Sequence, residues 1–270
     1  MQRAHGRPAR ESRREKEEIV PPAVLSVEPA PLATYEDLAG MIDHPLVKPD
    51  LTNVQVVEGI ELAKRYRIAC VSVRPCDVDL AVRTLEGSPV RPGSVVGFPH
   101  GSQNTATKLY ETRDLLRRGA REIDMVIAIS ALLSREFQHV QTELMQMAET
   151  CRKEGAVLKV ILENAYLTDE LKIVACRCCA RAGVDFVKTS TGFAFSGYAI
   201  EDVKLMRKHL PEEIGVKAAG GLRTLDQALE VRAAGATRIG TASTAAILDE
   251  WKARLAEAAR HRVPEEKRAS

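Results

Sequence analysis

Eight short apolar stretches, each followed by an amphipathic helical one, alternate along this 270-residue chain. The stretches are Met41-Ile42-Asp43, Ala69 to Val73, Ser94 to Phe98, Glu122 to Ile127, Val157 to Leu162, Phe186 to Lys188, Gly215 to Ala218 and Arg238 to Gly240. Their centres, at 43, 70, 95, 124, 159, 187, 216 and 239, recur at intervals of 27, 25, 29, 35, 28, 29 and 23 residues. A βα unit takes roughly 30 residues. Eight such units in a chain of this length constrain it to an α/β fold, the (β/α)8 TIM barrel. The rival, an open doubly wound sheet, would place a G-x-G-x-x-G turn after the first strand. Asp43-His44-Pro45 stands there instead.

Between the stretches the apolar residues fall at helical spacing: Val56, Ile60 and Ala63; Leu171, Val174, Ala175 and Cys178; and, less strictly, Leu225, Ala228, Leu229 and Ala233. A last helix is expected from about Ala245 to Ala259, carrying the single tryptophan, Trp251. The barrel domain is therefore expected over residues 34–260, with a C-terminal tail at 261–270.

Residues 1–33 read differently. The first twenty carry six Arg/Lys and four Glu, and Pro21, Pro22, Pro29 and Pro31 follow. Such a composition buries no core, so a disordered extension is expected. The segment lacks the apolar h-region of a signal peptide, and its glutamates argue against a transit peptide.

A net charge of +2 gives no reason to expect nucleic acid or a membrane surface as a partner, and no apolar run is long enough to span a bilayer. The six cysteines lack paired metal spacing and read as reduced thiols of a cytoplasmic protein. The six histidines form no H-E-x-x-H or comparable cluster, so neither a metal nor a cofactor is expected.

Barrel active sites lie at the C-terminal ends of the strands. Polar residues there carry the functional signal: Asp124 in Ile123-Asp124-Met125, Lys159 in Leu158-Lys159-Val160, Lys188 in Phe186-Val187-Lys188 and Lys217 in Gly215-Val216-Lys217. The three lysines are each 29 residues apart. Strands deplete lysine, and a buried ammonium is costly unless paired or neutral. A neutral lysine is a nucleophile for carbonyl carbon. A second ammonium close by lowers its pKa, and desolvation acts in the same direction. Attack on an aldehyde then gives a carbinolamine and an iminium, an electron sink that lets a carbon–carbon bond break. Asp124 with a water suits the proton transfers. The residues alone leave open whether Lys188 or Lys217 is the nucleophile.

A second constellation follows the last two strands: Ala219-Gly220-Gly221-Leu222-Arg223 and Gly240-Thr241-Ala242-Ser243. Barrels often bind phosphate with these two loops and a helix N-terminus. Thr191-Gly192 could add an edge. His44 and His100 also stand at strand ends, where each could simply be hydrogen-bonded. Arg74 reads as a surface residue or a substrate contact, and Glu163 as a partner for a lysine.

These stretches resemble the deoxyribose-phosphate aldolases. The resemblance runs from about residue 38 to 250. It rests on Ile42-Asp43-His44 with Lys48-Pro49, Val95 to Gly101, Glu122 to Ile127, Leu158 to Glu163, Phe186 to Phe193, Gly215 to Lys217 with Ala219-Gly220-Gly221, and Arg238 to Thr241. The string Lys188-Thr189-Ser190-Thr191-Gly192-Phe193 is the most specific. The resemblance implies a metal-free class I aldolase of deoxyribonucleotide and carbohydrate catabolism. Such an enzyme cleaves 2-deoxy-D-ribose 5-phosphate to D-glyceraldehyde 3-phosphate and acetaldehyde. It implies Lys188 as the Schiff-base residue, Lys217 as the group that depresses its pKa, Asp124 as proton donor and acceptor, and Asp43 and Lys159 in the assisting polar network. It assigns Thr189, Gly192, Gly220, Gly221, Gly240 and Ser243 to the phosphosugar. Members often form dimers, so a homodimer is expected.

The chain departs from the family at His44-Pro45, where histidine-threonine is common, and at Ser72 and Arg74, where cysteine and asparagine or tyrosine are common. Phe193 to Tyr198 replaces a glycine-rich loop, and Ala242 replaces a hydroxyl residue.

Overall fold

The computed structural model describes residues 32–261. The tails expected at 1–33 and 261–270 lie outside them, apart from Leu32, Ala33 and the backbone of His261. A short helix, α1 (Tyr35–Ala39), comes first. The Thr34 hydroxyl accepts from the Asp37 amide, and the Asp37 carboxylate accepts from the Thr34 amide, a reciprocal cap that satisfies two otherwise orphaned donors.

Eight strands follow: β1 (Ile42–Leu46), β2 (Cys70–Val73), β3 (Arg91–Val96), β4 (Glu122–Val126), β5 (Val157–Ile161), β6 (Phe186–Lys188), β7 (Gly215–Ala219) and β8 (Arg238–Gly240). All neighbours are parallel, and β8 closes on β1 through Ile42↔Ile239 and Asp43↔Gly240. The helices between them are α2 (Asn53–Tyr66), α3 (Val78–Thr84), α4 (Thr105–Arg117), α5 (Ile129–Leu133), α6 (Phe137–Lys153), α7 (Asp169–Ala182), α8 (Ile200–His209) and α9 (Leu225–Ala233), and α10 (Thr244–His261) ends the barrel. Among the described residues no helix is long and apolar enough to cross a membrane.

The differences from the sequence expectation have local causes. The longest interval, between β4 and β5, holds the extra helix α5 ahead of α6. Strand β3 begins at Arg91, three residues early, because Arg91 and Pro92 extend the ladder opposite Cys70 and Val71. Strand β1 runs on through Pro45, which pairs with Ser72. Proline lacks an N–H, so it is tolerated only near the ends of these strands.

The helices pack on the outside of the barrel through one apolar stripe each. Val140, Leu144, Met147 and Cys151 of α6 are buried. Each such side chain contributes roughly 1.5–3 kcal/mol by leaving water. Val56, Ile60 and Ala63 of α2 do the same, as their spacing predicts. The strands' inward faces are different: the barrel's interior carries a charged cluster.

Candidate active site

Strands β6 and β7 pair in register, so Lys188 stands directly opposite Lys217. Both reach one carboxylate oxygen. Lys188 Nζ and Lys217 Nζ each donate to Asp124 Oδ2 at 2.8 Å. Lys217 also donates to Asp43 Oδ2 at 2.5 Å. The equal 29-residue spacing puts Lys159 at the same level only in sequence. In the barrel it pairs with Phe186, two residues before Lys188, and so lies one layer deeper. From there Lys159 Nζ holds Asp124 Oδ1 at 2.9 Å, Asp43 Oδ2 at 2.9 Å and Glu122 Oε2 at 2.6 Å.

Arg238, at the start of β8, completes the cluster. Its Nη1 lies 2.7 Å from Asp43 Oδ1 and 3.3 Å from Glu122 Oε2, and its guanidinium lies over the Phe186 ring at 5.0 Å. Neither Arg238 nor Glu122 is singled out by the sequence reading. The available signal was the i, i+2 spacing of Glu122 and Asp124, which puts both carboxylates on one face of β4.

Four bases thus face three carboxylates: Lys159, Lys188, Lys217 and Arg238 against Asp43, Glu122 and Asp124. Burying an unmatched charge is expensive, and the group that can shed it at least cost does so. Lys188 is that group. Burial pulls its pKa down to about 8, opposed by Asp124 and assisted by the Lys217 and Lys159 ammoniums. The Lys217 charge is therefore one cause of the depression and burial is the larger. Lys159 is equally buried, yet Asp124 and Asp43 outweigh its burial and hold its pKa well above the ordinary lysine value. Burial pushes Asp124 up, but Lys159, Lys188 and Lys217 together hold it well below the usual carboxylate range. Asp124 in the resting protein is thus ionised and accepts protons.

The lysine pair forms the floor of a cavity of about 730 Å³. Asp43, Lys188, Lys217, Gly192, Gly220, Gly221, Gly240 and Ser243 all line it. Lys159 and Asp124 do not line it; they lie beneath. Thr189 is also absent from the lining. Its hydroxyl donates to the Ala219 carbonyl at 3.0 Å and accepts from the Ala219 amide at 3.1 Å, so it stitches β6 to β7. Thr191, two residues on, faces the cavity in its place. Lys48 and Arg223 add positive charge to the lining.

Two glycines have steric reasons. A Cβ on Gly240 would come within 2.9 Å of Ala219 Cβ and 3.4 Å of Lys217 Cε, so glycine makes room for the lysine. A Cβ on Gly197 would meet the Gly220 carbonyl oxygen at 2.0 Å. The Tyr198 amide donates to that same oxygen at 3.1 Å, which ties the Phe193 to Tyr198 segment to the β7 loop without the expected run of glycines.

Other candidates fall into supporting roles. Arg74 pairs with Asp77 at 2.6 Å and donates to the Lys48, Pro49 and Leu51 carbonyls, bracing the loop after β1. His44 is buried with Nδ1 2.9 Å from Thr244 Oγ1, and burial pulls its pKa down to about 4, so it is neutral. His100 lines a smaller adjoining cavity of about 300 Å³. Glu163 does not bond a lysine. Its carboxylate accepts from the Thr191 amide and hydroxyl, while its own backbone is left-handed at φ 55. Phe193 stacks edge-on against Phe98 with ring centroids 5.3 Å apart and lies between the two cavities. Ser72 was notable in the sequence only as a departure. Its buried hydroxyl has no protein partner and lines the larger cavity.

Among the described residues, one group of metal-type donors comes together: Asp43, Cys70 and Glu122. Lys159 and Arg238 already occupy both carboxylates, and burial holds the Cys70 thiol well above its ordinary pKa. A divalent cation there would join four bases, so this donor set suits ion pairing better than metal binding.

A family model described as DeoC/LacD family aldolase matches residues 38–249. The chain is 47% identical over 219 residues to the deoxyribose-phosphate aldolase of Bacteroides thetaiotaomicron, covering 81% of this chain and 92% of that protein. It is 46% identical over 217 residues to the deoxyribose-phosphate aldolase of Caldanaerobacter subterraneus subsp. tengcongensis, covering 80% and 94%. Among solved structures, the tetrameric deoxyribose phosphate aldolase of Aeropyrum pernix matches with a TM-score of 0.76 at 33% identity, covering 83% of this chain and 94% of that one.

Proposed function

The chain belongs to the DeoC/LacD family of aldolases, and from that premise we propose that it reversibly cleaves 2-deoxy-D-ribose 5-phosphate to D-glyceraldehyde 3-phosphate and acetaldehyde. The observation that carries this reading is the shared Asp124 Oδ2, on which the Lys188 and Lys217 amines converge at 2.8 Å each on the floor of the cavity.

Neutral Lys188 attacks the substrate's C1 aldehyde, and loss of water from the carbinolamine leaves an iminium. The C2–C3 bond then breaks, and its electron pair moves toward the iminium nitrogen as an enamine. The C3 hydroxyl proton passes to the Asp124–Lys217 group through a water as that oxygen becomes the aldehyde of glyceraldehyde 3-phosphate. A proton returns from the same group to C2, and water hydrolyses the resulting iminium. Acetaldehyde leaves and Lys188 is regenerated. Each step balances with amine, carboxylate and water alone. Lys159 and Asp43 hold Asp124 and Lys217 in place throughout.

The 5-phosphate sits at the opposite wall. Gly192, Gly220, Gly221 and Gly240 keep backbone close to it, and the N-terminus of α10 lies just beyond Ser243. The Ser243 amide already donates to Thr241 Oγ1 at 2.9 Å, so Ser243 contributes its hydroxyl. Arg223 supplies charge from the rim. The same reading includes a cytoplasmic homodimer, and sedimentation at assay concentration tests the dimer: a monomeric profile rejects it.

The direct test is reductive trapping. Acetaldehyde with borohydride should add an ethyl group to one tryptic peptide, at Lys188. Full activity without an adduct, or an adduct confined to Lys217, overturns the assignment.

A further inference from the structure

The cluster's lower layer is larger than the reaction requires. Arg238 and Glu122 touch no part of the cavity, yet both are built into its charge. Arg238 reaches Asp43 and Glu122; Asp43 reaches Lys217 and Lys159; Lys159 reaches Asp124 and Glu122. One Glu122 oxygen, Oε1, is buried without a hydrogen-bond partner, and the Arg91 guanidinium stands 3.7 Å away from it. An ion pair with a buried, unsatisfied oxygen is a poor stabilising device, because apolar residues of similar volume often do as well or better. Its place in the charge network of the lysines suits another role.

We propose that Arg238 and Glu122 are positioning residues of opposite sign whose charges set how many protons the Lys188–Lys217–Asp124 group holds, and hence the pH above which Lys188 is a free amine. The inference rests on Lys188 being the Schiff-base nucleophile. The charged or titratable groups facing the cluster are Asp43 from β1, Cys70 from β2, Arg91 from the edge of β3, Glu122 and Asp124 from β4, Lys159 from β5, Glu163 just after β5, Lys188 from β6, Lys217 from β7 and Arg238 from β8. Cys70 stays a neutral thiol, and Arg91 lies at the solvent-facing edge, where screening weakens it. The groups joined by ion pairs are then three carboxylates and four bases, and within that network neutrality is reached when Lys188 gives up its proton. Glu163, held by Thr191 outside it, adds a field that substitution of Arg238 or Glu122 leaves in place. Removing the Arg238 charge leaves three bases for three carboxylates, so neutrality is reached with Lys188 still protonated. Removing the Glu122 charge leaves four bases for two carboxylates, and Lys188 sheds its proton at lower pH.

The sign is what separates this role from a purely structural one. Damage to packing lowers activity without a direction in pH, whereas charge removal moves the ionisation of the free enzyme, read as the acid limb of kcat/KM. The experiment compares Arg238→Met, Glu122→Gln and the charge-preserving Arg238→Lys, each with a full kcat/KM–pH profile and borohydride trapping rates at several pH values. Arg238→Met should move the acid limb up and Glu122→Gln should move it down, each by on the order of one pH unit, the size expected of a single nearby charge at an effective dielectric of about 20. Arg238→Lys should leave the limb where it is in the parent protein. Limbs that do not move, or that move the same way in Met and Gln variants, overturn the proposal. Should Arg238→Met not fold, the near-isosteric Glu122→Gln decides alone by the sign of its shift. Trapping on the parent protein keeps the two readings apart: an adduct elsewhere than Lys188 rejects the nucleophile assignment, while an adduct at Lys188 with immobile limbs rejects only the charge-setting role.

Discussion

Two buried lysines, Lys108 and Lys188, share a depressed pKa and little else. Lys108 lies on α4 outside the barrel, fully buried, with Nζ 2.8 Å from Glu143 Oε1 of α6 and 2.9 Å from the Val126 carbonyl at the end of β4. Its pKa is lowered by burial, against the pull of Glu143. Lys188 lies inside the barrel on an oxygen it shares with Lys217. Burial lowers its pKa too. The difference is in access and in the local charge count. Lys108 pairs with the Glu143 carboxylate, which also accepts from the Thr105 hydroxyl, and lines neither of the two cavities. Lys188 is the surplus base of its cluster and is open to a cavity. A depressed lysine pKa therefore does not mark a nucleophile by itself.

The comparison breaks most sharply at Lys188. Lys188→Ala should lower kcat by about 10⁴-fold or more and abolish borohydride trapping, because no other group supplies the covalent step. Its Tm should stay near that of the parent, since the remaining three bases and three carboxylates balance. Retained turnover in a folded Lys188→Ala protein would sink the proposed mechanism.

Next comes Lys217, which stands opposite Lys188 and shares its carboxylate oxygen. Lys217→Met should cost about 10²–10⁴-fold in kcat, the usual range for loss of a proton-transfer group. The adduct should still form at Lys188, more slowly, with its rate recovering as pH rises. A Lys217→Met enzyme with parental kcat would reduce that residue to a bystander.

Lys108 should fail in the other direction. Lys108→Met strands the Glu143 carboxylate in a buried site, at a cost of about 3–5 kcal/mol of stability measured by urea unfolding. Protein that remains folded should still be trapped by acetaldehyde and borohydride. Adding Glu143→Leu should restore most of the lost stability, since both charges then leave together. Loss of trapping in the folded double variant would blur the distinction drawn between the two lysines.

The smallest effect is in the parent enzyme. Lys188 must be neutral to attack, and its pKa is about 8. The free amine is lost as pH falls through that value, so kcat/KM should drop toward tenfold per unit below it and level off above. Because the charges that set this value are buried, added salt should move the limb little. A limb near pH 10.4, the ordinary lysine value, would mean that burial does not act on Lys188 as described.

Much of the fold was legible because its signals are local. An apolar run of four or five residues and the stripe Val56, Ile60 and Ala63 each announce an element within a few turns of chain. Lysines at the ends of apolar strands, and glycines after the last two, come together around one cavity. The level of a residue inside the barrel was not legible. Equal spacing suggested that Lys159 belongs beside Lys188, whereas the strand stagger of a closed sheet places it a layer below. Nor was it legible that Thr189, expected from the resemblance to contact the phosphosugar, bonds Ala219 through its hydroxyl.

By itself the sequence determined the repeat, the eight strands and the residue types that lysine chemistry needs, because periodicity and burial preference act over a few neighbouring residues. Only the tertiary structure decided which of those groups meet. Asp124 binds Lys188 and Lys217 from 64 and 93 residues away, and Asp43 binds Arg238 from 195 residues away, because β8 closes on β1. The pKa of Lys188 follows from that closure: it depends on burial and on the count of charges sealed in with it, and both are properties of the finished barrel.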